Sequence, residues 1–191
     1  MMRIITGKAK GIRLKTLEGD ATRPTAERVK EAIFSMLQMD IENREVLDMF
    51  SGSGQMGLEA LSRGASSAVM LDRSPAAIKI ITENAEKTKL RASCEIKKED
   101  YSDYIRRNSG KQFDIVFIDP PYSSGFYTTA LSLLWQNDML KSTSLVICES
   151  GNPDVCEEVS DKYSVIKQVR YGNIFVTLLS PILKTKGNEN E

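Results

Sequence analysis

Between residues 45 and 72 the chain passes through an apolar segment, a glycine-rich turn, a helix-like stretch and a second apolar segment ending on an acid. Few folds accept that order. Glu45-Val46-Leu47-Asp48-Met49-Phe50 has the nearly continuous apolar character of a strand buried on both faces. Ser51-Gly52-Ser53-Gly54-Gln55-Met56-Gly57 follows, and Leu58-Glu59-Ala60-Leu61 then reads as helix. Ala68-Val69-Met70-Leu71 predicts the next strand, closed by Asp72 at 20 positions after Gly52. Strand, turn, helix and strand in this order make one crossover unit of an open α/β sheet, whose ligands bind outside the carboxyl ends of the strands. Gly52, Gly54 and Gly57 spell G-x-G-x-x-G, which lets backbone approach a ligand closely, and Asp72 is placed to accept from ribose hydroxyls. A tight turn alone would also use these glycines, and nicotinamide enzymes share the spacing.

The rest of the chain continues the alternation. Strands are predicted at 45–50, 67–72, 94–98, 113–119 and 144–149, and helices at 56–63, 75–89, 101–108, 126–137 and 153–160. This implies a parallel sheet with helices on both faces. Two last strands, 163–171 and 173–180, are joined by Tyr171-Gly172-Asn173, too short a link for a parallel crossover, so they form an antiparallel hairpin. Ahead of the sheet, Ile4-Ile5-Thr6 and Ile12-Arg13-Leu14 flank Gly7 and Gly11 and predict a β-hairpin. A helix then begins near Pro24, with Val29, Ala32, Ile33, Met36 and Leu37 on its apolar face and Arg23, Arg28 and Lys30 left available elsewhere. The chain thus divides into a basic N-terminal hairpin and helix (1–40), an α/β domain (41–183) and a polar tail (184–191).

Asp119-Pro120-Pro121-Tyr122 ends the apolar run Phe113-Asp114-Ile115-Val116-Phe117-Ile118. Two prolines cannot continue a ladder, so the chain leaves the sheet here. The break gathers a carboxylate, a proline carbonyl and an aromatic ring at a strand's carboxyl end. Carboxylate and carbonyl are both pure acceptors and together suit an amino group with two N–H donors, while the ring can stack on a flat base. The alternative is a plain strand-ending turn with a surface tyrosine. The tetrapeptide resembles the D-P-P-Y motif of methyltransferases that act on exocyclic amino groups of nucleobases.

Composition narrows the chemistry. There is no histidine, which excludes a histidine base, Ser-His and Cys-His nucleophile pairs, and most zinc and iron sites. Cys94, Cys148 and Cys156 lack C-x-x-C spacing and are expected to be reduced. No apolar run approaches the roughly 18 residues of a membrane span, and no signal peptide precedes the first strand-like segment, so a cytoplasmic protein is expected. Net charge is zero, yet residues 1–30 hold eight basic and three acidic residues, leaving 18 basic and 23 acidic in the other 161. A +5 arm on a −5 domain suggests a local phosphate-contacting patch; a solvated face of no function is the alternative.

Taken together, these residues resemble the RsmD family, the bacterial 16S rRNA guanine-N2 methyltransferases. The resemblance runs from Met2-Arg3-Ile4-Ile5-Thr6-Gly7-Lys8 through Thr22-Arg23-Pro24-Thr25-Ala26-Glu27-Arg28-Val29-Lys30-Glu31 and Gly57-Leu58-Glu59-Ala60-Leu61-Ser62-Arg63-Gly64-Ala65 to D-P-P-Y, Glu149 and Arg170-Tyr171-Gly172. Ser51, Gln55-Met56 and Arg73-Ser74 depart from its commoner residues without removing a ligand group. The resemblance implies the Rossmann-like class I S-adenosylmethionine methyltransferase fold, an α/β fold with a parallel sheet ending in an antiparallel hairpin and a small N-terminal hairpin/helix extension. It implies S-adenosylmethionine as cofactor, held by Asp48, Phe50, Ser51, Gly52, Ser53, Gly54, Gly57, Asp72, Arg73, Asp100 and Tyr101. Asp100 is equally readable as a helix N-cap. Asp119, Pro120, Pro121 and Tyr122 would carry the chemistry, and Lys8, Lys10, Arg13, Arg23, Thr25 and Arg28 would meet RNA. The expected partner is 16S rRNA in the small ribosomal subunit or an assembly intermediate; a monomer with no metal and no membrane is expected. Other readings are an adenine-N6 methyltransferase of RNA or DNA, an NAD-dependent dehydrogenase, and a catalytically inactive RNA-binding assembly factor. Tyr171 and Asn173 border the pocket or simply form a turn.

Overall fold

The computed structural model describes residues 2–17, 24–37, 39–120 and 126–182, and for 24–26 the backbone alone. Pro121, Tyr122, Arg23, the Thr25 side chain and the polar tail lie outside the described residues. Helix α1 is Pro24–Met36; then follow β1 Glu45–Asp48, α2 Gln55–Ser62, β2 Ser67–Asp72, α3 Pro75–Lys87, β3 Cys94–Lys98, α4 Tyr101–Arg107, β4 Phe113–Ile118, α5 Phe126–Gln136, β5 Leu140–Ser150, β6 Tyr163–Tyr171 and β7 Ile174–Pro181.

The described strands form one seven-stranded sheet in the order β3-β2-β1-β4-β5-β7-β6. The first five are parallel; β7 runs antiparallel to β5 and to β6. From β1 the chain moves outward to β2 and β3, then crosses back to β4. The crevice at the carboxyl ends of β1 and β4 is therefore the point where strand order reverses, the place such sheets reserve for ligands. Alternation along each strand feeds two cores. Val46, Ile115, Phe117, Ile147 and Val176 face one cluster with Leu58 and Leu61 of α2, Ile81 of α3 and Val29, Ile33 and Phe34 of α1. Leu47, Val69, Val116, Ile118, Val146 and Leu179 face the other with α4 and α5. Ile4, Ala9 and Leu14 belong to the first cluster, so the N-terminal segment shares its core with the sheet.

Three expectations need correction. Strand β5 starts at Leu140, not 144. Its Lys-Ser-Thr-Ser stretch reads as loop, but the buried Ser144 hydroxyl accepts from Lys141 N at 2.7 Å and donates to Phe113 O at 2.6 Å, absorbing the polarity. In place of a helix over 153–160 there is one short turn, Glu157–Val159, of 3-10 type. Burying Val155 and Val159 requires no more. The N-terminal hairpin is present but short: Arg3 bridges Arg13 antiparallel, with Ile4 N donating to Ile12 O (2.9 Å), Gly11 N to Ile4 O (2.8 Å) and Leu14 N to Met2 O (2.9 Å). The donors between the two segments stay within the hairpin, and those on its other edge go to α2: Ile5 N and Thr6 N to the Glu59 carboxylate (2.7 and 3.0 Å), Lys8 N to Ser62 O and Ala9 N to Ser62 Oγ. Gly7, at φ +86, lies so close that a Cβ there would fall 1.8 Å from Ser62 O.

Lys30 is the third correction. It is not an available surface cation but is 2% exposed, donating to Arg3 O at 2.6 Å and lying 3.6 Å from Glu59 Oε2. Burial holds its pKa below that of an ordinary lysine, against the opposing pull of Glu59 and Glu27. Glu59, fully buried, also accepts from Arg63 Nε at 2.8 Å. One carboxylate thus ties the N-terminal segment, α1 and α2 together.

Candidate active site

Strand β1 ends on Asp48, and the turn to α2 is held by its own polar groups. Gly52 (φ +53) and Gly54 (φ +78) take left-handed backbone that other residues adopt at a cost. Ser51 N donates to Leu71 O at 2.9 Å, and Ser51 Oγ to Asp48 O at 2.9 Å. Gly52 N donates to Asp72 Oδ2 at 2.9 Å, while Ser74 N donates to Asp72 Oδ1 at 2.8 Å. Gly57 N meets Asp48 Oδ2 at 3.2 Å. Asn84 of α3 donates to Ser53 O and also binds Lys15, fastening the N-terminal segment to the loop.

The three glycines do different things. A Cβ on Gly52 would meet nothing within 4 Å, so open space lies over that residue. A Cβ on Gly54 would approach Ile81 at 3.2 Å, and one on Gly57 would strike Met70 at 2.8 Å. Gly52 is thus the point where a ligand can approach backbone; Gly54 and Gly57 let α2 and α3 close on β2. Ser53 is buried beside Gly54. The space over Gly52, flanked by Asp48 and Asp72, fits a ligand with cationic and hydroxyl donors. Asp48 is 3% exposed, and burial pushes its carboxyl up to about 7 against the Gly57 N–H that favours the anion.

Farther along the same rim, Asp100 caps α4 through Oδ1, which accepts from Ser102 N at 2.8 Å; its Oδ2 lies 3.6 Å from the exposed Arg73 guanidinium. The capping role is therefore realised, and one oxygen still faces outward from the helix. Phe50, Tyr101 and Phe126 form an aromatic wall, with ring centroids 5.0 Å (Phe50–Tyr101), 5.8 Å (Phe50–Phe126) and 6.4 Å (Tyr101–Phe126) apart. Burial raises the Tyr101 phenol above its usual range, so the ring is a neutral surface.

Across β1, strand β4 delivers Asp119, exposed, and Pro120, buried, just past Ile118. Asp48 is level with Phe117, and Ile118 pairs with Cys148. Asp119 therefore stands two residues beyond Asp48 and beside Glu149 at the end of β5. Glu149 is half-buried, burial pushes its carboxyl up to about 7, and its backbone oxygen accepts from the Tyr127 hydroxyl. Glu149 pairs with Val176 and Tyr171 with Ile174, so the β6–β7 turn rises on this same end. Tyr171 is half-buried against the first core cluster, and Asn173 is exposed in the turn.

The cationic residues are divided in position. Lys8, Lys10, Arg13 and Arg28 are exposed and have no acidic partner among the described residues, whereas Arg3 pairs with Glu27 at 3.0 Å and Lys15 with Glu83 at 2.6 Å. Lys30 lies beside Glu59 and Phe34 beneath Arg63, so α1 runs alongside α2 in the same sense, and its first turn, just ahead of Arg28, lies toward the carboxyl ends of the strands. Lys8 and Lys10 instead flank the turn bound to Ser62, the last residue of α2. Eight helical residues put that turn about 12 Å from the glycine loop. The structure thus brings Asp48, the glycines, Asp72, Asp119 and Glu149 to one crevice and leaves Lys8 and Lys10 at a distance. Sequence reading did not find the Glu59–Lys30 pair. Its signal was the position of Lys30, three and four residues before Ile33 and Phe34, on the apolar face itself.

Comparison with known proteins agrees with this geometry. Residues 2–180 match the family model described as conserved hypothetical protein 95. The ribosomal RNA small subunit methyltransferase D of Haemophilus influenzae is 34% identical over 151 residues, 78% of each chain. The solved structure of yhhF from Escherichia coli superposes with a TM-score of 0.84 at 28% identity, covering 96% of this chain and 99% of that one. An RNA methyltransferase from Salinibacter ruber, solved with S-adenosyl-L-homocysteine, shares the fold at a TM-score of 0.66 and 15% identity, over 88% and 100% of the two chains. With a match spanning both the N-terminal segment and the sheet, the chain belongs to the RsmD family of methyltransferases.

Proposed function

We propose that the chain methylates the exocyclic N2 amino group of a guanine in 16S rRNA, in the small subunit or its assembly intermediate, as a cytoplasmic monomer. The observation that carries this reading is the placement of Asp119 and Pro120, both acceptors, immediately beside the glycine loop at the crevice where strand order reverses. S-adenosylmethionine, when bound, supplies an electrophilic sulfonium methyl group and leaves as a neutral thioether. Asp48 faces its amino-acid head, Gly52 admits it to the backbone, Asp72 takes ribose hydroxyls, and Asp100 with the Phe50–Tyr101 wall receives adenine.

Guanine N2 is a weak nucleophile because its lone pair is delocalised into the ring. The Asp119 carboxylate and the Pro120 carbonyl, accepting both amino hydrogens, favour the pyramidal nitrogen whose lone pair can form the new N–C bond. This is positioning and electrostatic catalysis. One amino proton departs late, to Asp119 or to water, so no histidine is required. Tyr122 would stack on the target base, which must leave its own stack to reach the site. Arg28 and Arg23 would hold the neighbouring phosphates.

Methylation of 16S rRNA and of small subunits with labelled cofactor, followed by nucleoside analysis, tests the reading. N2-methylguanosine is expected; N6-methyladenosine would replace it with the adenine reading. Calorimetry should show binding of S-adenosylmethionine and none of NAD.

A further inference from the structure

Glu149 is a half-buried acid for which the reading above has no use. It ends the same sheet face as Asp119. Ile115, Phe117 and Ile147 all face the first core cluster, and two-residue alternation carries Asp119 and Glu149 onto that face one step later. Adjacent strands lie about 4.8 Å apart, so the two carboxyl groups line neighbouring positions of one crevice. Among the described residues no cation and no hydrogen-bond donor meets the Glu149 carboxyl, and burial lifts it to about 7. An acid held in such a place with no partner among the described residues costs stability unless another group satisfies it.

The target's own edge supplies the partner. Guanine presents an N1–H donor next to its 2-amino group. Adenine presents an acceptor, N1, next to its 6-amino group. With Asp119 and Pro120 occupied by the amino hydrogens, the next acid along the crevice meets the ring nitrogen. We propose that Glu149 selects guanine by accepting its N1–H, and rejects bases whose corresponding ring nitrogen carries a lone pair. The inference rests on the guanine-amino reading given above. Its physical basis is that ionised Glu149, the form that prevails above about pH 7, and a ring lone pair are both acceptors and repel, whereas a donor missing from a site built to receive it leaves a buried acid unsatisfied.

The probe is 2,6-diaminopurine, which keeps the 2-amino group but turns N1 into an acceptor. Small subunits are rebuilt with 16S rRNA carrying guanine or 2,6-diaminopurine at the position that the protein methylates in unmodified RNA. At about pH 8, where Glu149 is mostly ionised, the unaltered protein should methylate the analogue with kcat/KM at least about a hundredfold lower than guanine. Glu149→Gln presents an amide that can donate to an N1 acceptor, so the guanine preference should shrink by at least about tenfold while cofactor affinity stays within about threefold. Equal use of the two bases by the unaltered protein overturns the proposal without any variant. A Glu149→Gln variant that slows both bases by a common factor also overturns it, because a purely structural role would act that way. Failure of the guanine reading itself looks different: the unaltered protein would then yield no N2-methylguanosine on unmodified RNA.

Discussion

On one side of the β1–β4 crevice, Asp72 already holds the N–H groups of Gly52 and Ser74, and Asp48 that of Gly57. On the other, the Glu149 carboxyl meets no donor among the described residues, and Asp119 is exposed. The half assigned to the cofactor is thus wired through its own backbone; the half proposed for the base is the one that holds the Glu149 carboxyl with no donor among the described residues. The wiring extends well behind the glycine loop, since Asn84 ties that loop to Lys15 and Glu59 ties the N-terminal segment to α2. A small cofactor that returns every turnover benefits from a preformed cradle, whereas a base pulled from folded RNA brings its own donors.

The largest expected effect strikes the wired half. Glu59→Ala would remove the acceptor of two backbone N–H groups and strand Lys30 in the core. Loss of one partner of a buried pair costs about 3–5 kcal/mol, to be read from urea unfolding. The double change Glu59→Ala with Lys30→Met should recover part of the loss, because no buried charge is then left alone. Unchanged stability in the single variant would mean that the segment docks without Glu59.

Asp119→Ala should act on the other half alone. Removing one of two acceptors for the amino group is expected to lower kcat by about a hundred- to a thousandfold, with cofactor affinity within about threefold. A large loss of cofactor affinity would erase the distinction between the halves, and near-normal turnover would take Asp119 out of the chemistry.

The same contrast governs how much could be read from sequence. The parallel strands and the glycine loop were legible because each is a local pattern: apolar runs such as Phe113–Ile118, and glycines at fixed offsets. The antiparallel end was legible from the short Tyr171-Gly172-Asn173 link, and it stands as β6 and β7. What escaped was polarity satisfied at long range. Ser144 is buried only because Phe113, 31 positions away, accepts its proton. Lys30 and Glu59 look like ordinary helix-surface charges until α1, α2 and the N-terminal segment come together around them. The N-terminal residues read as a hairpin and form one, but that Ile5 and Thr6 of its other edge dock on Glu59 is not visible in the pattern. D-P-P-Y was legible as an exit from the sheet at Asp119 and Pro120, while the alignment of Glu149 beside it depends on strand register, which sequence does not reveal.

A smaller effect tests the cradle through protons. Asp48 has its carboxyl pushed up to about 7 by burial. A cationic amino-acid head beside it favours the anion, so at lower pH binding must first remove a proton. Cofactor affinity should therefore weaken as pH falls, by up to about tenfold per unit below about pH 7, and level off about one unit above it. Asp48→Asn should bind less tightly but lose this dependence. A flat profile in the unaltered protein would show that Asp48 keeps one protonation state with and without cofactor.

The smallest expected effect lies farthest from the crevice. Lys8, Lys10 and Arg13 are exposed, while the turn between them is held to α2 by backbone N–H groups and by Gly7, so replacing all three with Ala should spare the fold and cofactor affinity. About 12 Å from the glycine loop, Lys8 and Lys10 can reach only RNA that flanks the target nucleotide. Removing one cation that neutralises a phosphate should reduce the slope of log K against log salt by about 0.7–0.9, with kcat at saturating RNA unchanged. Arg28→Ala, in the α1 turn directed toward the crevice, should instead disturb the target region and lower kcat/KM more than one distal lysine does. If the triple variant keeps the full salt slope, the distal turn is a solvated face and the RNA surface is confined to the open half of the crevice. If it lowers kcat at saturating RNA, the N-terminal segment transmits RNA binding to the glycine loop through Lys15 and Asn84, and the two halves are less separate than their hydrogen bonds imply.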